Sequence, residues 1–261
     1  MGPDLAFALS LADDADALTL GRFRARDLRV ETKPDMTPVS EADTAVEQAI
    51  RARVAAERPG ESVFGEEYGD DGGPVRWIVD PIDATRNYVR GIPVFATLIA
   101  LEREGELVLG VVTAPALRKR WWAERGGGAF ADGDPIHVSG VRRIEDAVFA
   151  YTSHRSFGEA GAEAAFDRLA GAAWVARGYG DFWQYMLIAE GAADVSAETG
   201  VGLWDLAAPQ VIVEEAGGRF TDWRGERRAD GGDAIASNGL LHDEALAAFA
   251  EWARKADRIP Y

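Results

Sequence analysis

Two carboxylates three residues apart, Asp80 and Asp83, stand in the stretch Trp77-Ile78-Val79-Asp80-Pro81-Ile82-Asp83-Ala84-Thr85. Trp77, Ile78 and Val79 read as a short buried strand. On a strand alone the two acids would point to unlike places. A turn into a helix after Pro81, a residue suited to the first helical turn, would bring them to one point. Convergent carboxylates repel and need a cation between them. Oxygen-only donors suit magnesium, and the N–H groups of Ala84 and Thr85 at a helix start suit a phosphate. Metal-assisted phosphate chemistry is therefore the expectation. The same spacing also suits a plain turn whose Asp side chains cap a helix, so other stretches must decide between them.

Those acids sit in an acidic chain of 261 residues, with 44 Asp and Glu against 28 Lys and Arg. A formal charge of −16 argues against nucleic acid, which calls for a basic footprint. It would also repel an anionic substrate unless bound divalent cations invert the local field. The absence of cysteine rules out disulfides and thiolate zinc sites. His137, His154 and His242 form no metal-ligand pair, which leaves carboxylate-bound magnesium. Residues 5–9 are apolar, but Asp13, Asp14 and Asp16 follow with no basic segment before them, unlike a signal peptide. No run of 18 apolar residues occurs. A cytoplasmic protein with no membrane partner is expected.

The elements that must position the acids follow from periodicity. Residues 3–25 read as an amphipathic helix. Glu31–Ser40, with two prolines, reads as a loop, and Ser40 as the N-cap of a helix ending near Arg58-Pro59-Gly60. Asp43, three residues on, suits an acidic capping box at that helix start. Ser62-Val63-Phe64 reads as a strand running into Gly65-Glu66-Glu67, and residues 69–74 as a Gly- and Asp-rich loop. Val94–Leu101 and Leu107–Thr113 form a hairpin; Trp121–Ala123, Gly128–Phe130 and Ile136–Val138 add strands. Helices on an antiparallel sheet are expected over residues 1–140. Over 141–261 the rhythm becomes α/β. Strands are expected at Ala147–Tyr151, Ala173–Ala176, Ala193–Ala197, Arg219–Trp223 and Ala234–Ala236. Helices are expected at Glu159–Ala170, Phe182–Glu190, Leu206–Ala216 and Asp243–Lys255.

Gly65-Glu66-Glu67, then Asp80-Pro81-Ile82-Asp83-Ala84-Thr85, then Trp204-Asp205 with Ala207-Ala208 resemble the inositol monophosphatase family, and the likeness spans nearly the whole chain. The resemblance implies an α/β fold, a five-layer αβαβα sandwich. It implies Glu66, Asp80, Asp83 and Asp205 as metal-binding carboxylates, with the Ile82 carbonyl as a further ligand. Asp83 and the amides of Ala84 and Thr85 would meet the phosphate. Asp43 and Thr85 would position the attacking water, with Glu66 also in a catalytic role. Residues 1–140 would hold most metal ligands, and 141–261 Asp205 and the substrate-selecting residues. Family membership further implies two or three magnesium ions per site, small phosphomonoester substrates, lithium sensitivity and a homodimer. The family usually has Gly where this chain has Ala84; at negative φ alanine is expected to be tolerated there, while positive φ would cost ~1 kcal/mol or more.

Glu198, seven residues before Asp205, matches an acid facing the alcohol of the substrate, and Asp181 stands where inositol-directed members carry small neutral residues. Two acids there favour a cationic leaving group over a neutral polyol. Asp181 also suits a helix N-cap. Val89-Arg90-Gly91-Ile92-Pro93-Val94 and Tyr179-Gly180-Asp181-Phe182 resemble the actinobacterial-type histidinol-phosphate phosphatases of the family. The resemblance implies hydrolysis of L-histidinol phosphate to L-histidinol and phosphate, a step of histidine biosynthesis. Inositol 1-phosphate, fructose 1,6-bisphosphate or a 3′-phosphoadenosine nucleotide are the alternative substrates. A catalytically silent, metal-binding regulatory protein is the alternative of another class.

Overall fold

The computed structural model describes residues 1–34 and 36–256. Helix α1 (Pro3–Arg22) leads into a two-stranded hairpin, β1 (Val30–Thr32) and β2 (Pro38–Ser40), in place of the expected plain loop; Asp35, inside that loop, lies outside the described residues. Helix α2 (Glu41–Glu57) opens as the spacing requires: the Ser40 hydroxyl accepts from the Ala42 amide, and the Asp43 carboxylate accepts from the Ser40 amide.

An eight-stranded sheet follows from β3 (Ser62–Gly65), β4 (Gly69–Asp70), β5 (Val75–Asp83), β6 (Ala96–Arg103), β7 (Glu106–Ala114), β8 (Lys119–Glu124), β9 (Ala129–Ala131) and β10 (Asp134–Ile136), with the short helix α3 (Thr85–Val89) after β5. Its order is β10-β9-β8-β7-β6-β5-β3-β4, antiparallel except for β3 beside β5. The turn between β6 and β7 is only Glu104-Gly105, both at positive φ, which matches the twist of a tight hairpin.

The second large sheet holds β11 (Val148–Tyr151), β12 (Val175–Gly178), β13 (Val195–Thr199), β14 (Arg219–Thr221) and β15 (Asp233–Ser237), in the order β12-β11-β13-β15-β14. Helices α4 (His154–Glu159), α5 (Glu163–Ala172), α6 (Asp181–Ala189), α7 (Leu203–Glu215) and α8 (His242–Ala256) complete it. The helix expected over Glu159–Ala170 is α5, which starts four residues later, and the short α4 before it was not expected. Gly161 adopts φ +69 between them, a conformation that ends one helix and lets the next begin.

Three apolar cores stack these elements into five layers. Leu11, Val46 and Ile50 of α1 and α2 pack on Trp77, Val79 and Ile99 of the large sheet. Its other face, with Ile78, Leu98 and Val112, meets Met186, Leu206 and Ile212 of α6 and α7, which also cover Phe220 and Ala236 of the second sheet. Phe157, Phe166 and Phe249 of α4, α5 and α8 close the far side over Phe149 and Ile235. The αβαβα sandwich is thus observed, with α6 and α7 as its middle layer.

Candidate active site

Asp80 and Asp83 converge by a route other than the one expected. Strand β5 does not stop at Asp80; it continues through Pro81 to Asp83. Asp80 pairs with Leu98 and Asp83 with Ala96, so β5 carries one more residue than β6 between those pairs. Such a bulge shifts the alternation of side chains by one place. Residues three apart, which would otherwise face opposite sides, are brought to the same cluster. Pro81 fits because a bulge does not require its missing N–H, and its carbonyl accepts from the Thr97 hydroxyl at 2.7 Å. Pro81 is therefore not a first-turn helical residue; the helix begins at Thr85.

Asp205 reaches the same point from the third residue of α7, where its carboxylate accepts from the Gly202 amide at 2.6 Å. Carboxylate oxygens of Asp80, Asp83 and Asp205 lie within 4.8 Å of one another. Burial, then Glu66, Asp83 and Asp205, hold the Asp80 carboxyl well above the usual range. Asp83 is raised likewise by burial and by Asp181 and Asp205, although the Phe182 amide, 2.6 Å away, opposes this. Burial pushes Asp205 up to about 7. Asp80 Oδ1 is buried without any hydrogen-bond partner. An orphaned anionic oxygen beside two further carboxylates is costly in protein alone and fits an oxygen-liganded divalent cation.

Glu66 lines the same cleft but is not one of the three converged acids. Its carboxylate accepts from the Lys33 ammonium at 2.7 Å, and Glu67 takes a second bond of 2.7 Å from that nitrogen. Desolvation works against the Lys33 charge, but the two acids outweigh it. Burial pushes Glu67 up to about 7. Lys33 was not singled out in the sequence; it comes from the tip of the β1–β2 hairpin, and no spacing ties it to Glu66.

Thr85 Oγ1 donates towards the Ile82 carbonyl (2.9 Å) and towards Asp43 (3.2 Å). Asp43 is fully buried behind Thr85 and is not part of the cleft lining. Its capping-box role is real, and one residue serves both as helix cap and as acceptor for Thr85. Ala84, just before α3, has φ +64 and ψ +44. The negative-φ case is thus excluded, and the alanine sits in the left-handed region that glycine occupies without strain.

The cleft encloses about 730 Å³. Asp181 lines it from the first residue of α6, with φ +49 after Gly180 at φ +77. Gly180, not Asp181, holds the N-cap position, and no side chain caps that helix. Burial raises the Asp181 carboxyl to about 6 against the pull of Arg86. Glu198, on β13, also lines the cleft. Its carboxylate already accepts from Thr152, from Gln184 (2.6 Å) and from the Tyr185 hydroxyl (2.7 Å). Burial still pushes it up to about 8.

Fold and site together define a layered α/β protein with converged carboxylates that could hold a metal ion, opening on a cleft of small-molecule size. The chain belongs to the inositol monophosphatase family, whose model matches residues 2–255. It is 53% identical to a histidinol-phosphatase of Streptomyces coelicolor over 93% of this chain and 95% of that protein. It is 51% identical to a histidinol-phosphatase of Mycobacterium tuberculosis over 93% and 96%. A solved inositol monophosphatase of Thermotoga maritima superposes with a TM-score of 0.88 at 32% identity, covering 97% of this chain and 99% of that one.

Proposed function

We propose that the chain is a histidinol-phosphatase, a metal-dependent phosphomonoesterase that releases L-histidinol and phosphate by attack of water. The observation that carries the phosphatase chemistry is the orphaned Asp80 oxygen beside Asp83 and Asp205. Asp80, Asp83, Asp205 and Glu66, with the Ile82 carbonyl, would hold the metal, for which hard oxygen donors favour magnesium, two or three ions per site. Bound there, the metal would polarise the phosphoryl group and acidify water.

The chain's own groups account for the rest. The Ala84 and Thr85 amides would meet phosphate oxygens. Thr85 gives its hydroxyl proton to Asp43 or the Ile82 carbonyl, so it offers the cleft a lone pair that can accept from the attacking water and orient it. Asp43 acts through Thr85. Asp181 would receive the ammonium of the substrate. Glu198, with its oxygens already accepting from Thr152, Gln184 and Tyr185, would shape and charge the wall behind it. The identity to two histidinol-phosphatases and the placement of Asp181 support this alcohol. A homodimer, a cytoplasmic location and a division of the chain near residue 140 belong to the same proposal; no helix among the described residues is long and apolar enough to cross a membrane.

Phosphate release from histidinol phosphate, inositol 1-phosphate, fructose 1,6-bisphosphate and a 3′-phosphoadenosine nucleotide, with magnesium and with chelator, tests the reading. Histidinol phosphate is expected to lead in kcat/KM, with activity lost in chelator. A preference for inositol 1-phosphate would overturn the substrate; turnover undiminished in chelator would overturn the chemistry.

A further inference from the structure

Glu47 lies on α2 and is fully buried. A buried acid needs partners that repay its lost hydration, and those of Glu47 all bear on the loop after β3. Its Oε2 accepts from the Glu67 amide at 2.8 Å, and Oε1 from the Tyr68 amide at 3.2 Å. Arg51, one turn further along α2, donates to Oε1 at 2.9 Å. The same guanidinium reaches the Gly69 carbonyl at 2.5 Å and Asp71 at 2.6 Å. One face of α2 thus grips the loop from residue 67 to residue 71.

The grip extends to the other side of Glu66. A Cβ on Gly65 would lie 2.0 Å from Glu47 Oε1, so a residue without a side chain is what lets the carboxylate press against the backbone. The Glu66 amide is itself tied to the Val79 carbonyl at 3.2 Å, next to Asp80. The direction in which Glu66 leaves the main chain is therefore set by anchors at positions 65, 67 and 68. Its own carboxylate is engaged by Lys33, on a hairpin that is not part of the large sheet.

We propose that Glu47 is a positioning residue, which presents Glu66 to the cation cage through the Glu67 and Tyr68 amides and the bare backbone of Gly65. The proposal rests on the metal-dependent reading of the site and is indifferent to which alcohol the enzyme releases. If Glu47 served only to stabilise the fold, its loss would lower the unfolding temperature and leave the affinity of the folded protein for metal alone.

Calorimetric titration with magnesium chloride separates the two, applied to the full chain, Glu47→Gln, Glu66→Gln and the double variant. Glu47→Gln keeps the size of the side chain but leaves one carbonyl oxygen for two amides. It is expected to weaken magnesium binding roughly 10-fold or more, the usual effect of removing an outer partner of a ligand. Excess magnesium should restore kcat, with KM for the phosphomonoester unchanged. Because Glu47 acts through Glu66, the double variant should bind magnesium no more weakly than Glu66→Gln does. Binding by Glu47→Gln within about twofold of the parent overturns the proposal, as do losses that add in full. Should Glu47→Gln not fold, Arg51→Lys loosens the same grip without emptying the interior; a several-fold loss of affinity is expected, and an unaltered isotherm overturns the proposal. A parent chain that takes up no magnesium overturns both this inference and the phosphatase reading, a result distinct from a normal parent isotherm matched by the variant.

Discussion

Stripping the cage of cations should make the fold sensitive to alkali in a range where most proteins are indifferent. Asp205 has its carboxyl pushed from 3.8 to about 7, chiefly by burial, and Asp80 and Asp83 are raised in the same direction. An acid whose pKa is higher in the folded chain keeps its proton longer there. Its contribution to stability is complete below the unfolded value and lost as pH rises through the folded one. For Asp205 the gap of roughly 3 pH units, at 1.36 kcal/mol each, sets a loss on the order of 4 kcal/mol between about pH 4 and pH 7. With about 2 °C per kcal/mol for a chain of this size, that corresponds to a fall of ~8 °C in Tm. Surface carboxylates titrate below pH 5, so the informative window is roughly pH 5.5 to 7, about half of that span, in which a fall of ~4 °C is expected. Thermal unfolding followed by circular dichroism in chelator should show Tm falling across that window. Millimolar magnesium at pH 8 should restore it, and Asp205→Asn should flatten the slope in chelator. A Tm that rises with pH in chelator, or is unmoved by magnesium at pH 8, would refute the account of mutually repelling buried acids.

The other expectations concern single positions. Ala84→Gly should stabilise the protein by about 0.5–1 kcal/mol in urea denaturation, because relief of left-handed strain (~1–2 kcal/mol) exceeds the added freedom of the unfolded chain (~0.4–1 kcal/mol); a destabilised variant would contradict the observed φ of +64. Asp181→Asn should lower kcat/KM for histidinol phosphate roughly 10- to 100-fold, the worth of one charge-assisted hydrogen bond, while changing inositol 1-phosphate little; equal losses on both would remove the cation argument. His242, buried between Thr221 and Ser237, has its pKa lowered by burial to about 4. Its contribution is present above 6.5 and lost as pH falls towards 4, opposite to the trend of the clustered carboxyls, so the urea midpoint of the parent relative to His242→Gln should drop across that interval. A Cβ on Gly110 of β7 would lie 2.5 Å from the Ala208 carbonyl of α7. Gly110→Ala should cost about 1–3 kcal/mol in the same assay and, by shifting the helix that carries Asp205, raise the magnesium needed for half-maximal activity.

Much of this was legible in the chain order of residues, for reasons that differ by element. The β6–β7 hairpin declares itself through apolar runs on either side of a Gly-containing turn, and the start of α2 through Ser40 and Asp43, because both are local arrangements. The convergence of Asp80 and Asp83 was foreseen, but its cause was not. The bulge is a property of the pairing between β5 and β6, and the hydroxyl bonded to the Pro81 carbonyl belongs to Thr97, 16 residues away. Lys33 was missed for the same reason, since a hairpin folding back over Glu66 leaves no periodic trace. Glu198 was located by the family's pattern, yet only the packing of α6 and of the residue after β11 against β13 reveals that Gln184, Tyr185 and Thr152 already occupy its oxygens.

The carboxylates of the cage are made far apart in time. Asp80 and Asp83 belong to the large sheet, whereas Asp205 sits on a helix of the middle layer more than a hundred residues later. A chain still emerging from the ribosome can complete the antiparallel strands through β10 while α6 and α7, which cover one face of them, have yet to be synthesised. Until those helices dock, Ile78, Leu98 and Val112 stay uncovered, and two crowded acids wait beside them without their third partner. Completion of the acidic cluster and closure of the hydrophobic interior therefore depend on the same docking of α6 and α7, and a chain cut short before α7 forfeits both together.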